Sequence, residues 1–250
     1  MNLEVEGKLF VVCGASRGLG RAVAETLLAE GARVHVVARN PDAEALGPGA
    51  TGSAADLSTS AGVATVATWA HANGPIDGVL VNGGGPPAGR ALELSEEQWQ
   101  LAFSLLLLGP LRLLRELSDD LADPSSVLFV TSSSVRQPIP ALDTSNVLRP
   151  AVAALVKTLA IQLAPRTRVN SLAPGRFDTD RVRELDRGRA SAAGISLEEQ
   201  RARTSAAIPL GRYGEPGEFG RLAAFLLSPA ASYVNGAAIQ ADGGLVTSIP

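Results

Sequence analysis

The sequence has a single cysteine, Cys13, and few charged residues, and each scarcity excludes a class of protein. One thiol cannot form an internal disulfide, and the N-terminus shows no secretory signal pattern, so a reducing, cytoplasmic location is expected. Lysine and arginine form no basic block and the net charge is -3, which argues against nucleic acid as a partner. No metal site is predicted.

A long hydrophobic run is also missing. The most apolar stretch, Leu101–Leu114, contains Gly109, Pro110 and Arg112, and its unbroken part is shorter than a bilayer requires. We expect a helix buried against the core or against a second subunit, and no membrane partner. Hydrophobic residues nevertheless make up 46% of the chain and charged residues 19%, which is enough apolar material for a large core.

Short apolar runs alternate with longer amphipathic ones, which predicts an α/β fold with a parallel sheet covered on both faces. The predicted strands are Leu9–Cys13, Arg33–Val37, Ile76–Val81, Val127–Thr131, Val169–Leu172 and Ala237–Gln240. The predicted helices are Arg21–Glu30, Ser58–Ala72, Ser95–Leu121, Val152–Leu163 and Glu215–Leu227. No repeat or long linker interrupts the chain, so one domain is expected, with a polar helical insertion or lid at about 178–208.

A glycine-rich turn follows the first strand and opens the first helix. Such a turn lets a pyrophosphate meet free backbone N–H groups and the positive end of the helix, and glycine removes the Cβ that would keep the phosphate away. Its spacing, G-x3-G-x-G, differs from the G-x-G-x-x-G fingerprint. The turn predicts a dinucleotide site formed by Gly14, Ser16, Arg17, Gly18, Leu19 and Gly20.

The end of the second strand indicates which dinucleotide is bound. A carboxylate there would accept the ribose hydroxyls of NAD and repel a 2′-phosphate, but this chain has Ala38 followed by Arg39. Arg17 lies in the nearby glycine turn. Two guanidinium groups suit a 2′-phosphate, so NADPH/NADP is predicted rather than NAD.

Several motifs, in order, resemble those of the short-chain dehydrogenase/reductase family, in particular its 3-oxoacyl-carrier-protein-reductase-like branch. The turn resembles TGxxxGxG with Cys13 in place of Thr, and residues 81–85 resemble NNAG with two Gly replacements. The C-terminal signatures match at Gly211–Pro216, at Asn235-Gly236 and at Asp242–Gly244.

The resemblance implies a doubly wound, seven-stranded parallel sheet of the Rossmann type, frequent tetramers, and hydride transfer between NAD(P)H and a carbonyl or alcohol. For this chain it implies a homotetramer or homodimer that acts on a small molecule. It also implies further cofactor contacts from Asp56 and Leu57 at the adenine ring, from Asn82, Gly83 and Gly84, and from Pro174, Gly175 and Thr179 beside the nicotinamide.

The family's catalytic Asn, Ser, Tyr and Lys are only partly matched. Aligning the helix at 151–162 puts Ser145 at the Tyr position and Arg149 at the Lys position. Counting back puts Ser132 at the catalytic Ser, with Ser133 and Ser134 as neighbours that make the register uncertain, and counting from Trp99 puts Leu106 at the Asn position. We take Ser132, Ser145 and Arg149 as the candidate catalytic residues.

These replacements change the chemistry that is expected. A serine hydroxyl is a far weaker acid than a phenol, whose pKa is about 10, whereas a guanidinium stays charged and binds oxyanions as a fork. Ser145 and Arg149 are four residues apart and share a face if both are helical. Pro150 leaves two alternatives: either the helix starts near Pro150, or it begins earlier and is kinked there.

Two functions therefore remain open from the sequence. One is a divergent NADPH-dependent oxidoreductase in which Ser132 binds the substrate oxygen and Arg149 stabilises negative charge. The other is a non-catalytic NADP(H)-binding protein, either a redox sensor or a partner subunit. A weaker third hypothesis is a protein for a nucleotide sugar or another NADP-like ligand.

Overall fold

The computed structural model describes residues 2–248, and its centre is a single sheet of seven parallel strands. The sheet order is β3-β2-β1-β4-β5-β6-β7. Successive strands are added on one side of β1 up to β3 and on its other side from β4 onward, so the order of the strands switches between β1 and β4. This is the predicted doubly wound α/β architecture. The strands are β1 (Leu9–Cys13), β2 (Arg33–Ala38), β3 (Ala50–Ala54), β4 (Ile76–Val81), β5 (Leu121–Val130), β6 (Thr167–Pro174) and β7 (Ala238–Ala241).

Helices cover both faces of the sheet. They are α1 (Gly18–Ala29), α2 (Ser60–Asn73), α3 (Glu96–Phe103), α4 (Gly109–Leu117), α5 (Asp143–Gln162), α6 (Asp180–Ala193), α7 (Leu197–Ala206) and α8 (Pro216–Leu227). Successive residues of β1 alternate between two cores: Leu9 and Val11 pack with α2, α4 and α5, whereas Phe10 and Val12 pack with α1 and α8. Strands buried on both faces explain the continuous apolar runs in the sequence. Within residues 2–248, no helix is both long and apolar enough to span a bilayer.

The strand β3 was not predicted from the sequence pattern. Its residues, Ala-Thr-Gly-Ser-Ala, lie at the sheet edge and are largely exposed, so they carry no apolar signal. They pair in parallel with β2, from Val34 opposite Ala50 to Ala38 opposite Ala54. The pairing is therefore decided by tertiary position rather than by side-chain pattern.

The prediction of one helix over Ser95–Leu121 is wrong. The chain forms α3 and α4 joined by a π-helical turn, Ser104–Leu108, in which the N–H of Gly109 donates to the carbonyl of Ser104. Pro110 is the second residue of α4 and directly follows the π-helical turn, in the first turn of a helix, where proline is tolerated. Leu121 belongs to β5, whose early start is concealed by polar residues before Val127.

The structure decides between the two alternatives for Pro150. Helix α5 begins at Asp143 and contains Pro150, so a helix start near Pro150 is wrong. Asp143 fixes the first turn, because its carboxylate accepts hydrogen bonds from the N–H of Ala91 at 2.9 Å and from Asn146 Nδ2 at 3.1 Å. Both Ser145 and Arg149 consequently lie on one helix.

Candidate functional site

The glycine turn is closed too tightly to accept side chains. Gly14 and Gly18 have φ values of +64° and +62°, in the left-handed region that favours glycine. A Cβ on Gly20 would overlap the carbonyl oxygen of Gly14, and a Cβ on Gly14 would overlap that of Asn82. Helix α1 begins at Gly18, and the side chain of its N-cap residue, Arg17, makes no capping hydrogen bond. The turn therefore presents backbone N–H groups without a Cβ in front of them.

Two other residues of the turn are half-buried. Leu19 packs against the core between the sheet and α1/α8, and Ser16 lies between Ala15, which is buried, and the exposed Arg17. Thr179 lies beside the turn, since its Cγ2 is 3.5 Å from the position that a Cβ on Gly18 would occupy. Thr179 also caps α6 by accepting a hydrogen bond from the N–H of Val182 at 3.4 Å.

Both predicted phosphate-binding arginines are exposed. Arg17 forms an ion pair of 3.9 Å with Asp180 at the start of α6. Arg39 follows β2 and lies near Asp56. Hydrogen bonds from Ser58 hold the pKa of Asp56 below its usual range, and the charge of Arg39 lowers it further. The carboxylate therefore stays ionised beside a guanidinium that has room for a second anion.

The segment after β4 closes the next side of the site. Asn82 Nδ2 donates to the carbonyl oxygen of Gly14 at 3.3 Å, which joins this segment to the glycine turn. A Cβ on Gly83 would lie 3.2 Å from the carbonyl oxygen of Leu105, whereas Gly84 has open space around it. The segment therefore packs against the π-helical turn at Gly83, and only Gly84 has free space where a ligand could contact the backbone.

Leu57 is fixed by a close approach to α4. Its side chain packs on the core, and its carbonyl oxygen lies so near Gly109 that a Cβ on Gly109 would overlap it. Leu106, predicted at the family's Asn position, lies in the π-helical turn, is 3% exposed and belongs to the hydrophobic core. It is not among the residues that line the adjacent cleft.

A cleft of about 660 Å³ opens at the carboxyl ends of β5 and β6. Its lining includes Ser132, Ser145 and Arg149, the three candidate catalytic residues, together with Pro174 and Gly175. The structure thus brings together, in one cleft, side chains from α5 and from the segment after β5. A Cβ on Gly175 would lie 2.5 Å from Cβ of Asp242, which explains the small residue there.

The serine run divides between two roles. Ser132 and Ser133 line the cleft, and Ser132 Oγ accepts a hydrogen bond from the N–H of Ser134 at 3.1 Å. Ser134 is instead buried, with its Oγ 3.4 Å from Oγ of Ser145. The geometry therefore leaves Ser132 and Ser133 as the members that face a ligand.

Arg149 is more than nine-tenths buried, with 8% of its surface exposed. Its Nη1 donates to the carbonyl oxygen of Val130, while Nε is buried without a hydrogen-bond partner. Burial lowers the pKa of Arg149 to about 10, which still leaves it protonated near neutral pH. The cleft therefore contains a permanent positive charge that the protein only partly satisfies.

The comparisons with known proteins agree with this arrangement. Residues 14–246 match a family model described as enoyl-(acyl carrier protein) reductase. An uncharacterized oxidoreductase of Methylorubrum extorquens is 32% identical over 97% of this chain and 99% of its own length. This chain belongs to the short-chain dehydrogenase/reductase family.

Two further members of the short-chain dehydrogenase/reductase family are similar over nearly the whole chain. The 3-oxoacyl-(acyl-carrier-protein) reductase of Salmonella typhimurium is 31% identical, with 97% of this chain and 99% of the relative covered. The crystal structure of L-sorbose reductase from Gluconobacter frateurii, complexed with NADPH and L-sorbose, superposes with a TM-score of 0.94 at 27% identity, covering 100% of both chains. The resemblance stated from the motifs is confirmed at the level of the family.

The ionisable groups of the cleft in this short-chain dehydrogenase/reductase are all arginines. Among residues 2–248, no Tyr, Lys, His, Cys, Asp or Glu lines it. Tyr213 is buried elsewhere and donates to Asp186 Oδ2 at 2.8 Å, Tyr233 is fully exposed, and Asp178 is paired with Arg183 at 3.0 Å. These three acidic groups therefore lie outside the cleft.

Sequence reasoning missed four of the five arginines that line the cleft. Arg149 was predicted; the others are Arg176, Arg181, Arg189 and Arg203. A signal was present, because Arg181, Leu185 and Arg189 recur at every fourth residue and so share one face of α6. That spacing could not show that this face is turned toward the cleft.

Proposed function

We propose that this protein is an NADP(H)-dependent oxidoreductase that acts on a carbonyl group, or the corresponding alcohol, of a small molecule. The observation that carries the proposal is the juxtaposition of a cofactor cradle with a cleft holding Ser132 and Arg149. The NADPH held by the related L-sorbose reductase supports the choice of cofactor. Ala38, where a carboxylate would favour NAD, and the exposed Arg17 and Arg39 support it independently.

The residues present fit the dinucleotide. The turn at Gly14, Gly18 and Gly20, with Ser16 and Leu19 beside it, would hold the pyrophosphate, because its N–H groups face outward without Cβ atoms. Arg17 and Arg39 would bind the 2′-phosphate. Asp56 and Leu57 would contact the adenine, and Asn82, Gly83, Gly84, Pro174, Gly175 and Thr179 the remainder. When bound, the cofactor supplies or accepts a hydride.

Ser132 and Arg149 act on the substrate oxygen in this proposal. The hydroxyl of Ser132 donates a hydrogen bond to the carbonyl oxygen and orients it. The guanidinium of Arg149 stabilises the negative charge that develops there, since a fixed charge in a partly buried site needs little reorganisation. The hydrogen bond to Val130 holds that guanidinium in place.

The proton must come from elsewhere than a phenol. We place Ser145 where the family has its Tyr and Arg149 where it has its Lys, and no other acid near neutral pKa lines the cleft in residues 2–248. Solvent water is the donor that this arrangement allows. The hydroxyl of Ser145, which lines the cleft, can order such a water but cannot replace an acid.

Helices α6 and α7 complete the proposed enzyme as a lid within a single domain. Residues of both helices line the outer wall of the cleft, including Val182, Leu185 and Thr204. The exposed apolar side chains Leu101 and Phe103 of α3 and Val147 of α5 support a homodimer or homotetramer, because a second subunit could cover them.

Calorimetric titration with NADPH and NADH tests the cofactor assignment. The double variant Arg17→Ala/Arg39→Ala should lose about tenfold to hundredfold in NADPH affinity, since charge-assisted hydrogen bonds to the 2′-phosphate are removed. NADH affinity should not change, and Arg221→Ala, an exposed arginine of α8, serves as the control. Equal losses for both nucleotides would contradict the assignment.

Turnover tests the reaction. NADPH oxidation should exceed the blank for at least one member of a carbonyl and quinone panel, and Ser132→Ala should lower it. Tight NADPH binding with no oxidation across the panel would overturn the enzyme proposal and leave the non-catalytic binding protein. Ser133→Ala is the matched variant, because the neighbouring hydroxyl also lines the cleft.

A further inference from the structure

The cleft wall is strongly positive. Five arginines line it, and among residues 2–248 no carboxylate does. They come from three parts of the chain: Arg149 from α5, Arg176 from the segment after β6, and Arg181, Arg189 and Arg203 from α6 and α7. A single-sign cleft of this kind concentrates ligands of the opposite charge.

Three of these arginines are paired with acids of the protein. Arg176 lies 3.3 Å from the fully buried Asp186, Arg181 lies 3.8 Å from Glu184, and Arg203 lies 2.6 Å from Glu199. Within the described part of the chain, Arg149 and Arg189 have no carboxylate within 4 Å. Two full positive charges in the cleft consequently lack a counter-ion from residues 2–248.

The position of Arg189 is set by the face of α6. Arg181, Leu185 and Arg189 lie on the cleft-lining face, whereas Arg187 of the same helix is exposed and lines no part of the cleft. Arg189 is half-buried, which removes part of its hydration and strengthens its attraction for an anion. A solvated surface arginine would gain much less.

The cofactor does not account for this charge. Its phosphates belong, on the proposal above, to the glycine turn with Arg17 and Arg39, none of which lines the cleft. Arg181 differs from the other arginines, because it lies next to the segment that we assign to the cofactor: its Nε would be 2.9 Å from a Cβ on Gly85. We therefore leave Arg181 out and rely on Arg189 and Arg149.

Building on the proposed function, we infer that the substrate is a small anion, a carbonyl compound with a carboxylate or phosphate group that Arg189 binds. Arg149 serves the reacting oxygen, and Arg176 and Arg203 add to the positive potential of the wall. A small molecule fits better than a carrier-bound chain, because the two unneutralised guanidiniums are buried or half-buried within the cleft.

Thermal unfolding of the protein saturated with NADP⁺ tests the inference, since a keto compound then binds without reacting. Two matched pairs serve as probes: 2-oxoglutarate with its dimethyl ester, and dihydroxyacetone phosphate with dihydroxyacetone. At a hundredfold excess over its Kd, a ligand should raise Tm by about 5 °C or more. We expect at least one anion to do so, and its neutral partner not to. Potassium chloride at equal ionic strength controls for screening.

The variant Arg189→Gln should weaken binding of that anion by about tenfold to hundredfold, because a charge-assisted contact is lost. Arg187→Gln, two residues away on the exposed face of α6, should leave it unchanged, and both variants should bind NADPH like the parent. The inference is overturned if no anion stabilises the protein, if neutral partners stabilise it equally, or if the two variants behave alike. It is also overturned if Arg189→Gln lowers NADPH affinity instead, or if only an acyl-phosphopantetheine thioester depends on Arg189.

The two proposals can fail separately. Anion binding that depends on Arg189, without NADPH oxidation on any carbonyl, would overturn the proposed reaction and leave the anion site. Turnover of neutral carbonyl compounds at the rate of their anionic partners would leave the reaction and overturn the anion site. Repeating the unfolding series without nucleotide shows whether the site exists independently of the cofactor.

Discussion

Arg149 Nη1 donates a hydrogen bond to the carbonyl oxygen of Val130, the last residue of β5. The bond joins the middle of α5 to the carboxyl end of β5, where the cleft opens. It uses one nitrogen of the guanidinium and leaves Nε buried and unpartnered. One nitrogen of the guanidinium is therefore anchored to the sheet, a second is buried without a partner, and the side chain lines the cleft.

Replacing Ser145 with Tyr and Arg149 with Lys should increase turnover. The two positions are four residues apart on α5, so a phenol and an ammonium would share a face and both enter the cleft. A positioned general acid contributes about a hundredfold to ten-thousandfold to proton transfer, and we expect kcat to rise by at least tenfold. The single variant Arg149→Lys, which adds no phenol, should show no rise. An unchanged double variant would mean that protonation does not limit the rate.

Arg149→Met should remove function while changing stability little. The variant loses the hydrogen bond to Val130, worth about 1 kcal/mol, but it also removes a buried charge that has no ion pair. We expect the free energy of unfolding in urea to change by no more than about 1 kcal/mol.

Arg168 provides the contrast for that measurement. Its guanidinium donates to the carbonyl oxygens of Leu226, Val234 and Ser228 at 2.9 to 3.1 Å, so it ties β6 to the segments around α8. Arg168→Met should cost about 3 kcal/mol or more, because three charge-assisted bonds disappear. A comparable loss in Arg149→Met would assign Arg149 to structure rather than to the site.

Gly20→Ala should abolish NADPH binding. The added Cβ would overlap the carbonyl oxygen of Gly14, so the turn must open before the chain can accept it. We expect NADPH affinity to fall by at least about a hundredfold, because about 3 kcal/mol of strain alone corresponds to that loss and the N–H groups that would hold the pyrophosphate are displaced as well. Gly188→Ala, on α6 with nothing within 4 Å of the new Cβ, is the control; unchanged affinity in Gly20→Ala would remove the turn from the cofactor site.

Acid should destabilise the fold through His35. Burial in the sheet lowers the pKa of His35 to about 4 from its ordinary 6.5, so the unfolded chain binds the proton first as pH falls. Stability is then lost from pH 6.5 downward, and the loss is complete below pH 4. Between pH 7 and pH 5 this residue should cost about 2 kcal/mol.

Urea unfolding at several pH values checks that loss. His35→Gln cannot titrate and keeps a partner for Thr51 or Ser53, which now contact the two ring nitrogens at 2.8 and 2.9 Å. Its stability should therefore depend less on pH over that range than that of the parent. Parallel pH profiles would show that other groups cause the acid sensitivity.

The sequence predicted those features that depend on local pattern or on contiguous motifs. Leu9–Cys13 and Ile76–Val81 are buried on both faces, so their apolar runs located two strands correctly. Ala50–Ala54 is an exposed edge strand without such a run and was missed. The π-helical turn at Ser104–Leu108 depends on packing against neighbouring segments, which helical periodicity does not contain.

The same division holds for the cleft. Ser132, Ser145 and Arg149 were found because a motif alignment counts positions along the chain. Arg189 and Arg203 were missed because their place in the cleft wall depends on how α6 and α7 pack over the carboxyl ends of the strands. Helical spacing gives the faces of a helix, but only tertiary contacts decide which face meets the ligand.

The contact between Gly109 and Leu57 carries a consequence for how this protein can change over time. Gly109 lies in α4 and lines no ligand cleft, yet any side chain there would push on the carbonyl of Leu57, which we assign to the adenine side of the site. Selection for nucleotide binding would therefore also act on Gly109, a residue outside the cleft. A substitution of Gly109 would be tolerated only together with a shift of the backbone at position 57. We therefore expect the two positions to change together in evolution.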